Sequence, residues 1–214
     1  PSTLTNILQS SPSYAQPFDG VSNFTVYIDN DNTYLPSSNY NGNLGTSFFG
    51  GSNVDIIRVG CSGINASTGS IEIGSVVTMI NANAFRECTA LSSIEFESGS
   101  HLSKLGNDAF ARSGLSTLHV PSSLKTIGYS AFTGCSNLVS VVFDTNSTLN
   151  SIGIGVFAYC YRLTTVVFEF GNALEYIPTG AFYMTEVTSI SLPASITAVG
   201  HYAFFKCYNL SSVI

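Results

Sequence analysis

Charge is scarce in this sequence. Lys and Arg number 7 and Asp and Glu 13 in 214 residues, so 9% are charged and the formal net charge is −6. Nowhere do Lys and Arg cluster. A nucleic-acid partner or an anionic membrane surface would need a patch of cations to meet phosphates, and both are excluded as expectations. No apolar run approaches the roughly 18 residues of a membrane-spanning helix, so direct membrane insertion is not expected. Tryptophan is absent and histidine occurs 3 times. No G-x-S-x-G marks a nucleophile elbow, and no Cys-x-x-Cys or His-x-His pair marks a zinc site. No initiator Met opens the chain at Pro1 and no signal peptide is recognisable, so the sequence reads as processed or trimmed from a larger one.

What is present is repetition. A small residue precedes phenylalanine six times, at Phe85, Phe110, Phe132, Phe157, Phe182 and Phe204, with spacings of 22 or 25 residues. Self-similarity at such a period marks a stacked-repeat architecture. Lined up on the phenylalanine, Cys88, Ser113, Cys135, Cys160, Thr185 and Cys207 form a column of small residues. Leu91, Leu115, Leu138, Leu163, Val187 and Leu210 form an aliphatic one. Pairs two apart, such as Leu118 and Val120 or Val141 and Phe143, predict a short strand with both residues facing inward. A second inward pair follows in each unit, as in Leu124 and Ile127, Leu149 and Ile152, or Ile196 and Val199. Gly106, Gly128, Gly153 and Gly200 come next and read as corners at positive φ, with Pro178 the exception. The residues around Ala-Phe are expected to make a helical or 3₁₀ turn on the opposite wall. The shorter units lose residues only in corners, where loops tolerate deletion.

The run Leu118-His-Val-Pro-Ser-Ser-Leu-Lys-Thr-Ile-Gly-Tyr-Ser-Ala-Phe-Thr-Gly-Cys-Ser-Asn-Leu138 resembles the BspA-type leucine-rich repeat almost residue for residue, and Ile190 to Leu210 does so again. The resemblance covers about residues 71–214. It implies an α/β repeat solenoid of about six coils, a leucine-rich-repeat superhelix with a parallel β-sheet on one wall. It also implies surface exposure and an adhesive role. Residues 1–70 align with no unit and are expected to cap the array. Within them Phe24–Ile28 and Val54–Val59 alternate like strands, and Asp29-Asn-Asp-Asn32 reads as a turn that only begins like a calcium loop.

Candidate chemistry is thin. The cysteine column reads as buried free thiols acting as small hydrophobes, with Cys61 outside it. A bridge between Cys135 and Cys160 stays open, since adjacent coils bring backbones to about 5 Å. His101, His119 and His201 occupy different columns and cannot converge into a triad or metal cluster. No enzyme activity and no cofactor are expected. Asp144 and Glu169, neighbours in successive coils, are a weak calcium pair. Asn23, Asn65, Asn146 and Asn209 are N-x-S/T sequons, and for a protein secreted by a eukaryote Asn146 is the best acceptor, because it sits in a predicted corner loop.

The outward face of the strands carries the binding expectation. Thr117, Ser140, Thr165 and Ser189 form a hydroxyl column flanked by Ser93 and Ser212, and beside it run Glu95, His119, Val142, Val167 and Ser191. This weakly charged, partly apolar face suits a protein or glycan ligand at a cell surface. The expected function is therefore non-catalytic adhesion by an extracellular or cell-surface module. The alternative is a structural subunit joined end to end, because the sequence stops at Ile214 within a strand and an open coil invites another chain.

Overall fold

The computed structural model describes Cys61 and residues 64–214. The cap expected over residues 1–70, its two strands and its Asp-Asn turn therefore lie almost wholly outside the described residues. From Ser70 onward the chain winds into a solenoid of parallel strands. One wall carries β1 (Ser70–Ile73), β3 (Ser93–Phe96), β5 (Thr117–Val120), β7 (Ser140–Phe143), β9 (Thr165–Phe168), β11 (Ser189–Ile190) and β13 (Ser212–Val213). A second wall, unforeseen in the sequence, carries the two-residue strands β2 (Met79–Ile80), β4 (Lys104–Leu105), β6 (Thr126–Ile127), β8 (Ser151–Ile152), β10 (Tyr176–Ile177) and β12 (Ala198–Val199).

All pairing is parallel between successive coils. β5, β7, β9, β11 and β13 form one continuous sheet, and β1 pairs with β3. On the second wall β2, β4, β6 and β8 are contiguous and β10 pairs with β12. Alternation decides which side chains enter the core. In β5 and β7 the inward Leu118, Val120, Val141 and Phe143 are buried while the residues between them face out. Val199 departs from expectation, being 49% exposed.

The phenylalanines stack down the core. Ring centroids lie 4.9, 5.3, 5.4, 5.6 and 5.3 Å apart from Phe85 through Phe110, Phe132, Phe157 and Phe182 to Phe204, with planes within 14°. Such pairs contribute about 0.5–1.5 kcal/mol each beyond burial. The stack runs on unbroken through the 22-residue units, so their deletions do fall in corners. Phe143 adds a second stack on Phe168 at 4.5 Å and meets Phe157 edge-on.

The third wall corrects the expectation of a helical or 3₁₀ turn. Positive φ recurs two residues before and two after each stacked phenylalanine: Asn83 and Glu87, Asp108 and Arg112, Ser130 and Gly134, Gly155 and Tyr159, Gly180 and Met184, Tyr202 and Lys206. Each unit makes successive tight turns, as where Arg86 N–H donates to Asn83 O and Cys88 N–H to Phe85 O. Every second N–H then points at the next coil, as Phe85 N–H donates to Ala109 O at 2.6 Å and Phe110 N–H to Ala131 O at 2.7 Å. A helix would spend its N–H groups on its own turn and leave the neighbouring coil unbonded.

The corner glycines also differ from expectation. Gly106, Gly128, Gly153 and Gly200 are not among the glycines at positive φ. Space requires them. A Cβ would lie 2.3 Å from Ala82 N at Gly106, 2.6 Å from Asn107 N at Gly128 and 2.4 Å from Tyr129 N at Gly153.

Candidate functional site

The outward strand face is built as the sequence suggests. Thr117, Ser140, Thr165, Ser189 and Ser212 stand in one row across the five-stranded sheet, each opposite the next. His119, Val142 and Val167 form the row beside it. Thr117, His119, Thr165, Ser189 and Ser191 are exposed, and Ser140, Val142 and Val167 are half-buried. Glu95 is exposed but belongs to the separate pair β1–β3, opposite Glu72. β3 is joined to the larger sheet where Ser116 donates to Ser92 O through both its N–H and its Oγ, at 3.0 Å each. The second row thus passes from carboxylate through imidazole to two valines and a serine.

Where β9 with four residues meets β11 with two, the face opens into a hollow of about 260 Å³. Thr165, Val167, Ser189 and Ser191 line it together with Phe168 and Thr188. Four of the nine expected contact residues therefore surround one depression. It offers hydroxyl groups around a small apolar floor, with no charged side chain among its lining residues. That is recognition chemistry for a neutral polar group.

The other candidates are dispersed. Asp144 and Glu169 follow the paired Phe143 and Phe168 in adjacent coils, and Asn172 donates its amide to the Glu169 carbonyl. Among the described residues no group of three or more His, Cys, Asp or Glu could hold a metal ion. Glu97 is tied instead to the backbone, accepting Ser75 N–H at 2.7 Å, and that bond holds its carboxyl below the usual carboxylate range. His101 Nδ1 lies 3.0 Å from Ser75 O, His119 faces out from β5, and His201 sits beside Tyr202, so the histidines are not brought together. Asn65 accepts Ser67 N–H at 2.9 Å in a tight turn, Asn209 donates to Glu186, and Asn146 is exposed at a φ of 53°. Asn23 lies outside the described residues.

The cysteine reading needs one correction. Cys88 is bridged to Cys61, while Cys135, Cys160 and Cys207 are free and buried. The free thiols donate to carbonyls of the preceding coil, Cys135 to Phe110 O at 3.1 Å and Cys160 to Phe132 O at 3.2 Å, so adjacent sulfurs are committed to backbone and do not bridge. Burial pushes the Cys135 thiol up to about 11 and Cys160 well above its ordinary value. Desolvation disfavours the thiolate and leaves them inert.

Two surfaces escaped the sequence reading. Tyr161, Tyr159, Tyr183, Phe205 and Tyr202 form a chain of ring contacts 5.2 to 6.2 Å long across three coils of the turn wall. They sit at turn positions whose outward direction no strand or helix period announces. A groove along the second wall is the other, and the two-residue strands that shape it are too short to show periodicity.

Among the described residues no helix is long and apolar enough to cross a membrane. The model of the BspA type leucine-rich repeat region matches residues 64–176 and 175–214, in six copies. No curated protein matches the chain. Among solved structures it is similar to a leucine-rich cell surface protein of Faecalibacterium prausnitzii, at 30% identity and a TM-score of 0.56 over 75% of this chain and 42% of that one. It is also similar to a Treponema pallidum leucine-rich repeat protein, at 28% identity and a TM-score of 0.62 over 75% of this chain and 73% of that one. The chain thus spans less than half the length of the first of these.

Proposed function

The chain belongs to the BspA-type leucine-rich repeat family, and from that premise we propose that it is a non-catalytic binding module of an extracellular or cell-surface protein. Its strand face takes a protein or glycan ligand, in an adhesive role. The observation that carries this reading is the hollow between β9 and β11, where Thr165, Val167, Ser189 and Ser191 converge on an exposed sheet. The similarity to a protein described as a cell surface protein supports the location. So does the Cys61–Cys88 bridge, since disulfides persist in oxidising compartments.

The test is a binding screen of the 214-residue chain on immobilised matrix proteins, host-cell surfaces and glycans, repeated with Val142→Glu plus Val167→Glu. Both side chains point outward, so the double variant should keep its circular dichroism, while two carboxylates opposite each other on paired strands should lower its stability by only about 1 kcal/mol. Partner binding should fall at least about tenfold, as a buried unpaired charge costs several kcal/mol. Unchanged binding to every partner found would remove the strand face from the reading.

A further inference from the structure

A second site runs lengthwise along the short-strand wall. It is a groove of about 800 Å³, bounded by Lys104, Tyr129, Ser151, Ile154 and Tyr176, with Gly106, Gly128 and Gly153 along its floor. The floor is low for a structural reason. At these glycines adjacent coils touch backbone to backbone, and a Cβ at any of them would meet its neighbour's main chain at 2.6 Å or less. No side chain can rise there to fill the depression, while the residues on either side stand proud. Tyr129 is 58% exposed, Ile154 53% and Tyr176 45%. The groove ends at the fourth corner, where Pro178 replaces glycine and the Tyr176 hydroxyl reaches within 2.6 Å of the point a Cβ on Gly200 would occupy.

The lining narrows the class of ligand. Lys104 is its one charged side chain, too little for a polyanion, whose binding scales with the number of cations engaged. It has no carboxylate, so a metal ion or a basic peptide has no partner there. β4 and β6 are internal members of their sheet and spend their hydrogen-bonding groups on the coils above and below. The strand that ends this sheet, β8, has only two residues, so an extended peptide finds too short an edge to extend the sheet. What remains is hydroxyls of Thr126, Ser151 and Tyr176, the amides of Asn81 and Asn107 (the latter accepting Tyr129 N–H), one ammonium donor, and the faces of two tyrosines and an isoleucine. The hydroxyls of nearby Ser103 and Thr148 are spent on carbonyls of the preceding coil, whereas Thr126 and Ser151 sit at the outward positions of β6 and β8. Hydroxyl donors and acceptors beside aromatic faces match a chain of neutral sugars, whose rings carry C–H faces and equatorial hydroxyls. Tyrosine serves both needs because it joins an apolar body to a polar tip.

We propose that this groove binds a linear, neutral oligosaccharide along the solenoid axis, spanning the corners at Gly106, Gly128 and Gly153. The site is independent of the strand face.

Isothermal titration of the full 214-residue chain with β-linked hexasaccharides of glucose, xylose, mannose and N-acetylglucosamine tests this, beside a heparin hexasaccharide. At least one neutral hexasaccharide should bind. Tyr129→Ala should weaken that binding about tenfold or more, and Ser151→Trp, which plugs the groove from an exposed position, should abolish it. The native chain holds no tryptophan, so the fluorescence of the introduced indole reports whether it is itself packed into the groove. Val142→Glu plus Val167→Glu should leave this binding unchanged, which separates the groove from the strand-face reading. The proposal is overturned if no neutral hexasaccharide binds at millimolar concentration, or if heparin alone binds. Binding that survives both groove variants would overturn it too.

Discussion

Gly153 and Gly155 stand two residues apart and should fail substitution for different reasons. A Cβ on Gly153 would lie 2.4 Å from Tyr129 N and 2.5 Å from Gly128 C and O. Such contacts relax only near about 3.5 Å, so the coils must part by about 1 Å at this corner. Ser130 N–H donates to Ile154 O at 3.0 Å beside it, and Phe132 N–H to Val156 O at 2.9 Å. A bond stretched by that amount is lost. Overpacking costs about 1–3 kcal/mol, two lost hydrogen bonds add about 1 kcal/mol each, and the stiffer unfolded chain returns about 0.4–1 kcal/mol. Gly153→Ala should therefore destabilise by about 2–5 kcal/mol.

Gly155 has a φ of 65° and only ordinary neighbours at 3.6 and 3.8 Å. Gly155→Ala meets left-handed strain of about 1–2 kcal/mol, partly offset by the same chain-entropy gain. Asparagine separates the two mechanisms, because it tolerates left-handed φ but still carries a Cβ. Asn83 occupies the equivalent turn position at a φ of 60°. Gly155→Asn should be nearly neutral and Gly153→Asn as damaging as Gly153→Ala. Urea denaturation followed by circular dichroism measures all four, and thermal midpoints should fall about 2–4 °C per kcal/mol. Equal losses for Gly153→Ala and Gly155→Ala, or for the two asparagine variants, would refute the spatial account of the corner.

Removing the Cys61–Cys88 bridge by Cys61→Ala opens a loop of sequence separation 27, worth about 3.5 kcal/mol on the chain-entropy scale. The urea midpoint should drop accordingly, and dithiothreitol should lower the native chain to match the variant. The unfolded chain releases its thiol protons near the ordinary value of 9.0, while folded Cys135 holds its proton to about 11. Stability is thus complete below pH 9 and falls as pH rises towards 11, by about 1.4 kcal/mol per unit for this thiol, and Cys135→Ala should flatten that slope. Phe157 touches Phe132, Phe182 and Phe143, so Phe157→Ala should cost about 3–5 kcal/mol by calorimetry, well above the cost at Phe204, which stacks on Phe182 alone. Met184→Gly should change the urea stability by less than about 1 kcal/mol, since relief of left-handed strain at its φ of 57° is offset by the freer unfolded chain and the lost packing of a half-buried side chain.

The inward columns were legible because they recur. Phe110, Leu115, Leu118 and Val120 each stand for a position that must meet its equivalent one coil away, and alternation by two reveals a strand four residues long. The second wall was not legible. Thr126–Ile127 and Ser151–Ile152 are too short to show a period, and their pairing arises from stacking rather than from local preference. The corner glycines were visible but misread, since a glycine kept for space and one kept for φ look alike in sequence. Cys61 carried no signal at all. It lies outside the column that its partner Cys88 occupies, and only the fold brings them within a Cα separation of 5.2 Å.

The scaffold also indicates where function must be sought. Stacking fixes the phenylalanine, the small residue before it, the aliphatic columns and, except at Pro178, the corner glycine, because each meets its own equivalent above and below. The hydroxyl row from Thr117 to Ser212 is nearly as regular, and serine or threonine opposite serine or threonine is itself a favourable cross-strand pair. Regularity there is explained by the sheet. The adjoining row varies instead, from Glu95 through His119 to Val142, Val167 and Ser191, although its positions are geometrically equivalent and face outward. No packing requirement separates glutamate from valine at such positions. Specificity in a repeat protein resides in columns that the stack leaves free, and this row crosses the sheet beside the hollow that Val167 and Ser191 help to line.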